Sequence, residues 1–258
     1  MNFVVVPGDP SSPYVVHVPH SSTRIPDDVR GQLLLDDDAL ASELRHLTDA
    51  HTEELANLAA SQVVPRPWLF VNRLSRLVVD PERLPDEHEE MYAVGMGAVY
   101  TCTSGGQVLR EADEQAERSL LQRFFAPYAE ALADLVDERI AATGHAVLVD
   151  LHSYPVKARP YELHQEARRP EVCIGVDVDH TPEQLIDRVT RAFSVIGRVV
   201  VNEPFAGSYI PLRHFGRDNR VASVMVELRR DTYLHEGGTV DPEGVRRVTE
   251  ALVSVLGA

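Results

Sequence analysis

The chain has 258 residues, of which 44% are hydrophobic, and its formal net charge is −15 at pH 7. A chain of this length can bury one large hydrophobic core. The negative charge argues against a nucleic-acid partner, because binding to a phosphate backbone needs a basic face. The two cysteines, Cys102 and Cys173, suggest neither a disulfide framework nor a thiolate zinc site.

The N-terminal segment M-N-F-V-V-V-P-G has neither the basic region nor the long apolar stretch of a signal peptide. Nowhere do about 18 apolar residues follow one another, as a membrane-spanning helix requires. The low cysteine content is compatible with a reducing compartment. We therefore expect a soluble cytoplasmic protein that has no membrane partner.

Apolar runs rich in β-branched residues predict strands, and apolar residues at helical spacing predict helices. In chain order, the predicted elements are strands at Phe3–Val6 and Tyr14–Val18, a helix at Asp36–Ser61, strands at Trp68–Val71 and Leu77–Val79, a helix at Glu111–Thr143, strands at Ala146–Leu151 and Val172–Val176, a helix at Pro182–Ile196, strands at Val199–Val201 and Val221–Leu228, and a helix at Pro242–Leu256. The first two strands are expected to form an antiparallel hairpin across P-G-D-P-S-S-P.

Strands that alternate with helices predict an α/β fold, in which both faces of a mixed sheet are covered by helices. We expect one domain over residues 1–258. Ligands of such sheets gather at the carboxyl edge of the strands. Three long irregular stretches are interpreted as site-forming loops: Pro81–Val108, Ser153–Pro170 and Asn202–Asn219.

Two distant histidines each follow an apolar strand and precede a serine: His20 in V-P-H-S-S and His152 in V-L-V-D-L-H-S. Ligands at strand ends are held rigidly, and one acid more would complete a three-ligand zinc site with an open position for water. Asp150 points in the same direction as His152 along a strand and could orient its imidazole. The alternative is that each histidine only bonds a loop carbonyl.

A third ligand is expected from the segment T-D-A-H-T-E-E-L, which offers Asp49, His51, Glu53 and Glu54 in a helical frame. Asp49 and Glu53 share a face, whereas His51 points away from both. Spacing alone does not choose among these residues. A charged, solvated helix face is the alternative interpretation of the segment.

Arginines and one buried acid complete the set of candidate residues. Arg73, Arg76 and Arg83 surround a short apolar run, where a guanidinium could clamp a substrate carboxylate or polarise a carbonyl. Glu227 lies within the apolar strand S-V-M-V-E-L, where an ionised carboxylate is costly unless it is paired or catalytic. A raised pKa would suit Glu227 for proton transfer. Ordinary ion pairs are the alternative for all four residues.

Six segments in this order resemble the N-formylglutamate amidohydrolase family over nearly the whole chain. They are P-H-S-S at 19–22, D-A-H-x-x-E-L at 49–55, S-R-L-V-V-D-P-E-R at 75–83, D-L-H-S at 150–153, N-E-P-F-A-G at 202–207 and V-E-L-R-R-D-T-Y at 226–233. The resemblance implies an α/β/α sandwich related to zinc carboxypeptidases and aspartoacylases. It also implies one catalytic zinc ion.

The resemblance implies roles for individual residues. Zinc ligands would be His20, His152 and the acidic position of the 49–55 segment, most simply Asp49. Glu227 would be the general base and Arg76 would take part in catalysis. The residues expected to bind substrate are Arg73, Arg83, Ser153 and Asn202.

Two positions depart from the family pattern. Ser22 replaces the glycine of P-H-S-G and would have to accept a backbone conformation that glycine enters more freely. Glu82 replaces the asparagine of D-x-N-R. If the Glu82 side chain faces the pocket, it would disfavour a substrate carboxylate there and favour a different N-acyl compound.

The resulting hypothesis is zinc-assisted hydrolysis of an N-formyl or related N-acyl amino acid such as N-formylglutamate, which releases formate and the free amino acid. One alternative is a metallopeptidase or deacylase that acts on a larger acylated amine. Another is a non-catalytic module that binds a metal or a carboxylate. The occurrence of Glu227 together with the two histidines in one chain favours an enzyme, because a storage site needs no buried base.

Overall fold

The computed structural model of the protein describes residues 2–162, 165–166 and 169–257. Seven strands form one sheet in the order β1-β3-β2-β4-β7-β5-β6. The strands are β1 (Phe3–Val6), β2 (Tyr14–Val18), β3 (Trp68–Asn72), β4 (Ala146–Tyr154), β5 (Val172–Gly175), β6 (Val199–Val201) and β7 (Val221–Arg229). The α-helices are α1 (Asp27–Arg30), α2 (Asp37–Leu47), α3 (Thr52–Ala60), α4 (Glu114–Leu120), α5 (Ala126–Thr143), α6 (Glu183–Phe193) and α7 (Pro242–Leu256).

The centre of the sheet is parallel and its margins are mixed. Strand β2 pairs in parallel with β3 and β4, and β4 pairs in parallel with β7. Strand β1 is antiparallel to β3, and β5 is antiparallel to β7. The four central strands therefore end at one common edge, which is where ligand sites of such sheets form.

Helices cover both faces of the sheet. Val16 of β2 belongs to the buried cluster that contains Leu55 of α3 and Leu252 of α7, whereas the neighbouring Val15 packs with Leu132 of α5. This division follows from the alternation of side chains along a strand. The predicted three-layer α/β/α sandwich with a mixed sheet is confirmed. Among the described residues, no helix is long and apolar enough to cross a membrane.

The predicted hairpin between the first two strands is wrong, because β3 lies between them. Val4 of β1 and Val18 of β2 both pair with Val71 of β3. The connection at residues 7–13 is long enough to cross one intervening strand, a distance of about 10 Å. Its path is fixed in part by a hydrogen bond from the Asp9 amide to the Arg66 carbonyl.

The predicted helix Asp36–Ser61 is in fact two helices, α2 and α3, which are separated at residues 48–51. Thr48 has an extended backbone, and His51 adopts a left-handed conformation with φ of 64°. The amide of Asp49 donates to the carbonyl of His20 at 2.9 Å. This long-range bond replaces a helical one, so the chain turns towards the end of β2.

The predicted strand Leu77–Val79 is also wrong. The segment forms a turn in which the Val78 amide donates to the Ser75 carbonyl at 2.9 Å. Its apolar side chains are buried beneath loops rather than in the sheet, which explains the misleading pattern.

The predicted helix Glu111–Thr143 comprises α4, a π-helical turn at Leu121–Phe125 and α5. It ends where predicted, before Gly144, whose φ of 87° suits glycine. Helix α6 is shorter than predicted, and α7 has the predicted bounds. Of the predicted loop at 153–170, residues 163–164 and 167–168 lie outside the described part of the chain.

Candidate functional site

A cavity of about 550 Å³ opens at the carboxyl edge of the central strands. It is lined by eight of the nine residues that the sequence assigned to a site: His20, Asp49, Arg76, Arg83, His152, Ser153, Asn202 and Glu227. Residues of the loops at 81–108 and 202–219 also line it. The convergence of these residues from six separate segments indicates a binding site.

His20, Asp49 and His152 meet at the floor of this cavity. The Nδ1 atoms of the two imidazoles lie 3.3 Å apart, although the residues are 132 positions apart in the chain. Asp49 Oδ2 lies 3.1 Å from Nδ1 of His152 and 3.7 Å from Nδ1 of His20. All three side chains are buried, so bulk water does not separate them.

Backbone structure explains why these three side chains meet. His152 lies within β4 rather than after its end, and His20 follows β2 by two residues. Because β2 and β4 are parallel neighbours, both histidines come to the same edge. The break between α2 and α3 then places Asp49 beside them. The other acids of that segment are elsewhere: Glu53 binds Arg73 at 2.7 Å, and Glu54 binds His51 at 2.9 Å.

Carboxylates support the outer nitrogen of each imidazole. His20 Nε2 lies 2.9 Å from Asp80 Oδ1, in hydrogen-bonding geometry. His152 Nε2 lies 3.1 Å from Asp150 Oδ2 but not in hydrogen-bonding geometry, so Asp150 is close enough to act on this ring through its charge. Asp150 also contacts His17 Nδ1 at 2.9 Å. A carboxylate behind an imidazole fixes the orientation of the ring and makes the opposite nitrogen a better ligand.

The acidic neighbours dominate the protonation of these histidines. Burial and then Arg76 lower the pKa of His20, but Asp80 and Asp49 raise it more, so its pKa lies above the usual value. Burial also lowers the pKa of His152, but Asp150 and Glu82 raise it well above the usual value. Burial raises the pKa of Asp49, yet the neighbouring imidazoles of His152 and His20 lower it below normal. The neighbouring carboxylates therefore favour the protonated form of both imidazoles relative to a free histidine.

Glu227 lies within β7, directly opposite His152 in the β4–β7 register. Its side chain lines the cavity, and its Oε2 atom is buried without a hydrogen-bond partner. Burial raises the pKa of Glu227 to about 7, while His152 opposes this increase. A carboxyl group with such a pKa can accept and donate a proton near neutral pH.

The arginines predicted from the sequence occupy two different places. Arg76 lines the cavity and binds Asp80 Oδ2 through Nη2 at 2.6 Å, and Arg83 lines the cavity while contacting Glu89 at 3.3 Å. Arg73 is not among the described residues that line the cavity, because its guanidinium is held by both oxygens of Glu53. The predicted contact of Arg73 with substrate therefore has no support in this geometry.

Ser153 and Asn202 both lie at the cavity wall. Ser153 Oγ accepts a hydrogen bond from Arg230 Nε at 3.2 Å. Asn202 has a φ of 56°, and its Oδ1 accepts from the Val176 amide at 2.9 Å. These hydrogen bonds hold both residues in place. Because Asn202 Oδ1 already accepts from the Val176 amide, this oxygen is not available to a ligand.

The two departures from the family pattern have different outcomes. Ser22 is not among the described residues with positive φ, so the expected conflict with a conformation favoured by glycine is absent at this position. Glu82 does face the cavity: its Oε2 atom lies 3.3 Å from His152 Nε2 and 3.7 Å from His20 Nε2.

Sequence reasoning missed two residues of the site. Asp80 is fully buried and binds His20, Arg76 and the hydroxyl of Tyr100. Arg230 lines the cavity and lies 3.7 Å from Asp49 Oδ1. The i, i+4 spacing of Arg76 and Asp80 was a usable signal for the first, whereas the contact of Arg230 depends on how the loop after β7 meets α2.

The donor set fits a divalent metal ion. Nitrogen and oxygen ligands about 2.0–2.2 Å from a tetrahedral zinc ion lie about 3.3–3.6 Å from one another. The three separations in the cluster, 3.1, 3.3 and 3.7 Å, are close to this range. Three Lewis bases at such distances need a proton or a cation between them. Among the described residues, His20, Asp49 and His152 form one of three His/Asp/Glu groups that could hold an ion.

The fold and this cluster define an α/β/α sandwich with imidazole and carboxylate donors at the carboxyl edge of its sheet. The sequence model of the N-formylglutamate amidohydrolase family matches residues 12–234. The chain therefore belongs to this amidohydrolase family. Comparison with curated proteins gives no match.

Solved structures with the same fold include an N-formylglutamate amidohydrolase from Ralstonia eutropha JMP134. It is 21% identical, the match covers 98% of this chain and 96% of that one, and the TM-score is 0.81. A gene product from Agrobacterium tumefaciens is also 21% identical, with 99% and 94% of the two chains covered and a TM-score of 0.71.

Proposed function

We propose that the protein is a zinc-dependent amidohydrolase that cleaves the amide bond of an N-formyl or related N-acyl amino acid. The products would be formate, or the corresponding acid, and the free amino acid. The observation that carries this proposal is the triangle of His20, His152 and Asp49 beside the unpartnered carboxyl group of Glu227. Family membership supports the amide as the bond that is cleaved.

One zinc ion would be held by Nδ1 of His20, Nδ1 of His152 and a carboxylate oxygen of Asp49. When bound, a divalent ion supplies Lewis acidity, which lowers the pKa of water towards about 7 and polarises a carbonyl group. Asp80 and Asp150 would hold the two imidazoles in orientation from behind.

Glu227 would act as general base and then as general acid. Its Oε2 atom, which has no hydrogen bond, would accept a proton from the attacking water. As the C–N bond breaks, the same oxygen would deliver that proton to the nitrogen, so that the amino acid leaves as a neutral amine. A pKa of about 7 suits both steps, because the group gives up and takes a proton at similar cost near neutral pH.

Arg76 would stabilise the negative charge that develops on the carbonyl oxygen. Its guanidinium lines the cavity and is aimed by Asp80 and by the hydroxyl of Tyr100. A donor fixed before the reaction needs no reorganisation during it, which makes such a group effective. The substrate would be contacted by Arg83, Ser153 and Asn202. We expect the reaction to take place in the cytoplasm.

The test combines metal analysis with a formate-release assay on N-formyl amino acids. Purified protein should contain one zinc ion per chain, lose activity when the metal is removed and regain it when zinc is restored. Full activity of a rigorously metal-free protein would contradict the proposal. Activity with N-acetyl or peptidyl substrates but with no N-formyl compound would favour a deacylase or peptidase of larger acylated amines.

A further inference from the structure

Glu82 adds a carboxyl group to the cavity close to both imidazoles. Its Oε2 atom lies 3.3 Å from His152 Nε2 and 3.7 Å from His20 Nε2. Its Oε1 atom lies 3.5 Å from Nδ1 of a third histidine, His17. Oε1 is buried and makes no hydrogen bond. A carboxylate at this place repels a second anion, since little water separates the two charges.

The described lining residues leave no excess of positive charge. Seven carboxyl groups are among the described residues that line the cavity: Asp49, Asp80, Glu82, Glu90, Asp150, Glu162 and Glu227. The described residues that line the cavity include three arginines and no lysine: Arg76, Arg83 and Arg230. Even with a divalent ion bound, the three arginines and the ion carry five positive charges, which is fewer than the seven carboxyl groups. A substrate with two carboxylates would therefore bring two uncompensated charges into the cavity.

Each of these arginines already has an acidic neighbour. Arg76 binds Asp80 at 2.6 Å, Arg83 lies 3.3 Å from Glu89, and Arg230 lies 3.7 Å from Asp49. The contacts of Arg83 and Arg230 are the looser ones. They can reorganise around one substrate carboxylate more easily than the short Arg76–Asp80 pair can.

Away from the imidazoles, the wall of the cavity is largely apolar. Its apolar lining includes Leu84, Phe125, Phe205, Ile210, Leu212 and Phe215. Leu212 is 51% exposed and Phe215 is 50% exposed. Exposed apolar side chains that line one cavity favour an apolar ligand group. A volume of about 550 Å³ leaves room for such a group.

We infer that the substrate is the N-formyl or related N-acyl derivative of an apolar or aromatic amino acid with a single carboxylate, and that Glu82 selects against dicarboxylates. This inference rests on the proposed deacylation and specifies its substrate class. N-formylglutamate, with two carboxylates, would be a poor substrate of this chain.

The first experiment compares kcat/KM of the zinc-loaded protein for N-formylglutamate, N-formylglutamine and N-formylphenylalanine. The glutamate and glutamine compounds differ little in size, so their ratio isolates the charge. N-formylglutamine should exceed N-formylglutamate by about tenfold, and N-formylphenylalanine should exceed N-formylglutamine by about tenfold. Equal or higher kcat/KM for N-formylglutamate would overturn the inference. If none of the three compounds yields formate, that result would instead contradict the proposed hydrolysis of N-formyl amino acids.

The second experiment assigns the charge effect to Glu82. In Glu82→Gln, the ratio of kcat/KM for N-formylglutamate over N-formylglutamine should rise about tenfold. Glu87→Gln is the matched control, because Glu87 is exposed on the same loop and does not line the cavity. Equal ratios in wild type and Glu82→Gln would remove Glu82 from this role. The comparison on the wild-type protein stands even if the Glu82 variant fails to fold.

Discussion

Asp80 accepts a hydrogen bond from His20 Nε2 at 2.9 Å while its other oxygen binds Arg76 at 2.6 Å. One buried carboxylate thus orients a candidate metal ligand and a candidate catalytic arginine. Asp80→Asn should weaken zinc affinity by about 10–100-fold, as measured by competition with a chromophoric chelator. Asp86→Asn, an exposed change on the following loop, should leave the affinity unchanged.

Thermal unfolding must accompany that measurement, because Asp80→Asn also leaves the half-buried Arg76 guanidinium without its ion-pair partner. Loss of one member of a fully buried pair costs about 3–5 kcal/mol, and the partial exposure of Arg76 makes a smaller loss of stability the expected result. A folded Asp80→Asn protein with wild-type zinc affinity would show that Asp80 does not position His20.

Glu227→Gln should bind one zinc ion and hydrolyse substrate far more slowly. We expect kcat to fall by about 10²–10⁴-fold, because the amide cannot accept the proton of water. Glu43→Gln is a suitable control, since Glu43 is also buried but binds Ser104 and does not line the cavity. A near-normal kcat for Glu227→Gln, with metal content verified, would exclude Glu227 as the base.

Zinc binding should release protons at pH 7. Neighbouring carboxylates raise the pKa of His20 and His152 above the ordinary value despite burial, so the metal-free cluster holds protons that a cation must displace. Protons compete with zinc for the imidazole nitrogens, and a raised pKa strengthens this competition at low pH. Zinc affinity should therefore increase as the pH rises. Calorimetry in buffers of different ionisation enthalpy should give about one or two protons released per ion. Heats that do not depend on the buffer would contradict this expectation.

His51→Gly should stabilise the protein without loss of zinc. His51 has a φ of 64°, a conformation that glycine adopts more easily than other residues. We expect the free energy of unfolding to rise by about 0.5–1 kcal/mol, measured by chemical denaturation. His51→Ala provides the control, because alanine keeps the strain and loses the contact with Glu54. Loss of zinc in His51→Gly would instead place His51 among the ligands.

Arg73→Gln and Arg76→Gln should differ strongly in activity. Arg76 lines the cavity, so its loss should lower kcat/KM by about 10²–10³-fold, as expected when a donor to a developing oxyanion is removed. Arg73 binds Glu53 instead, and Arg73→Gln should keep kcat/KM within about twofold of wild type. A large loss of activity in the folded Arg73 variant would show that the Glu53 pair opens during binding.

The central strands and part of the site could be predicted from sequence because buried strands are continuous apolar runs. His20, His152 and Glu227 interrupt or end such runs, which made each of them visible. The position of Asp49 depended on a helix break that has no glycine or proline to mark it. The roles of Asp80 and Arg230 depend on contacts between distant loops, which local pattern does not encode.

The order of the strands in the sheet could not be predicted from the sequence pattern, for a similar reason. Strand β1 could pair with β2 or with β3, and both pairings bury the same apolar face. The long-range bond from the Asp9 amide to the Arg66 carbonyl belongs to the observed arrangement. Such a bond between backbone groups leaves no trace in residue type.

The direct pairing of His152 with Glu227 between β4 and β7 limits how the gene can change. Inserting or deleting one codon within either strand would turn every following side chain of that strand to the opposite face of the sheet. The His152 imidazole and the Glu227 carboxyl group would then no longer lie next to each other. Codons for the loop at 202–219, which forms the rim, face no such restriction. Substrate specificity can therefore change during evolution through changes in the length of this loop, while the spacing between His152 and Glu227 stays the same.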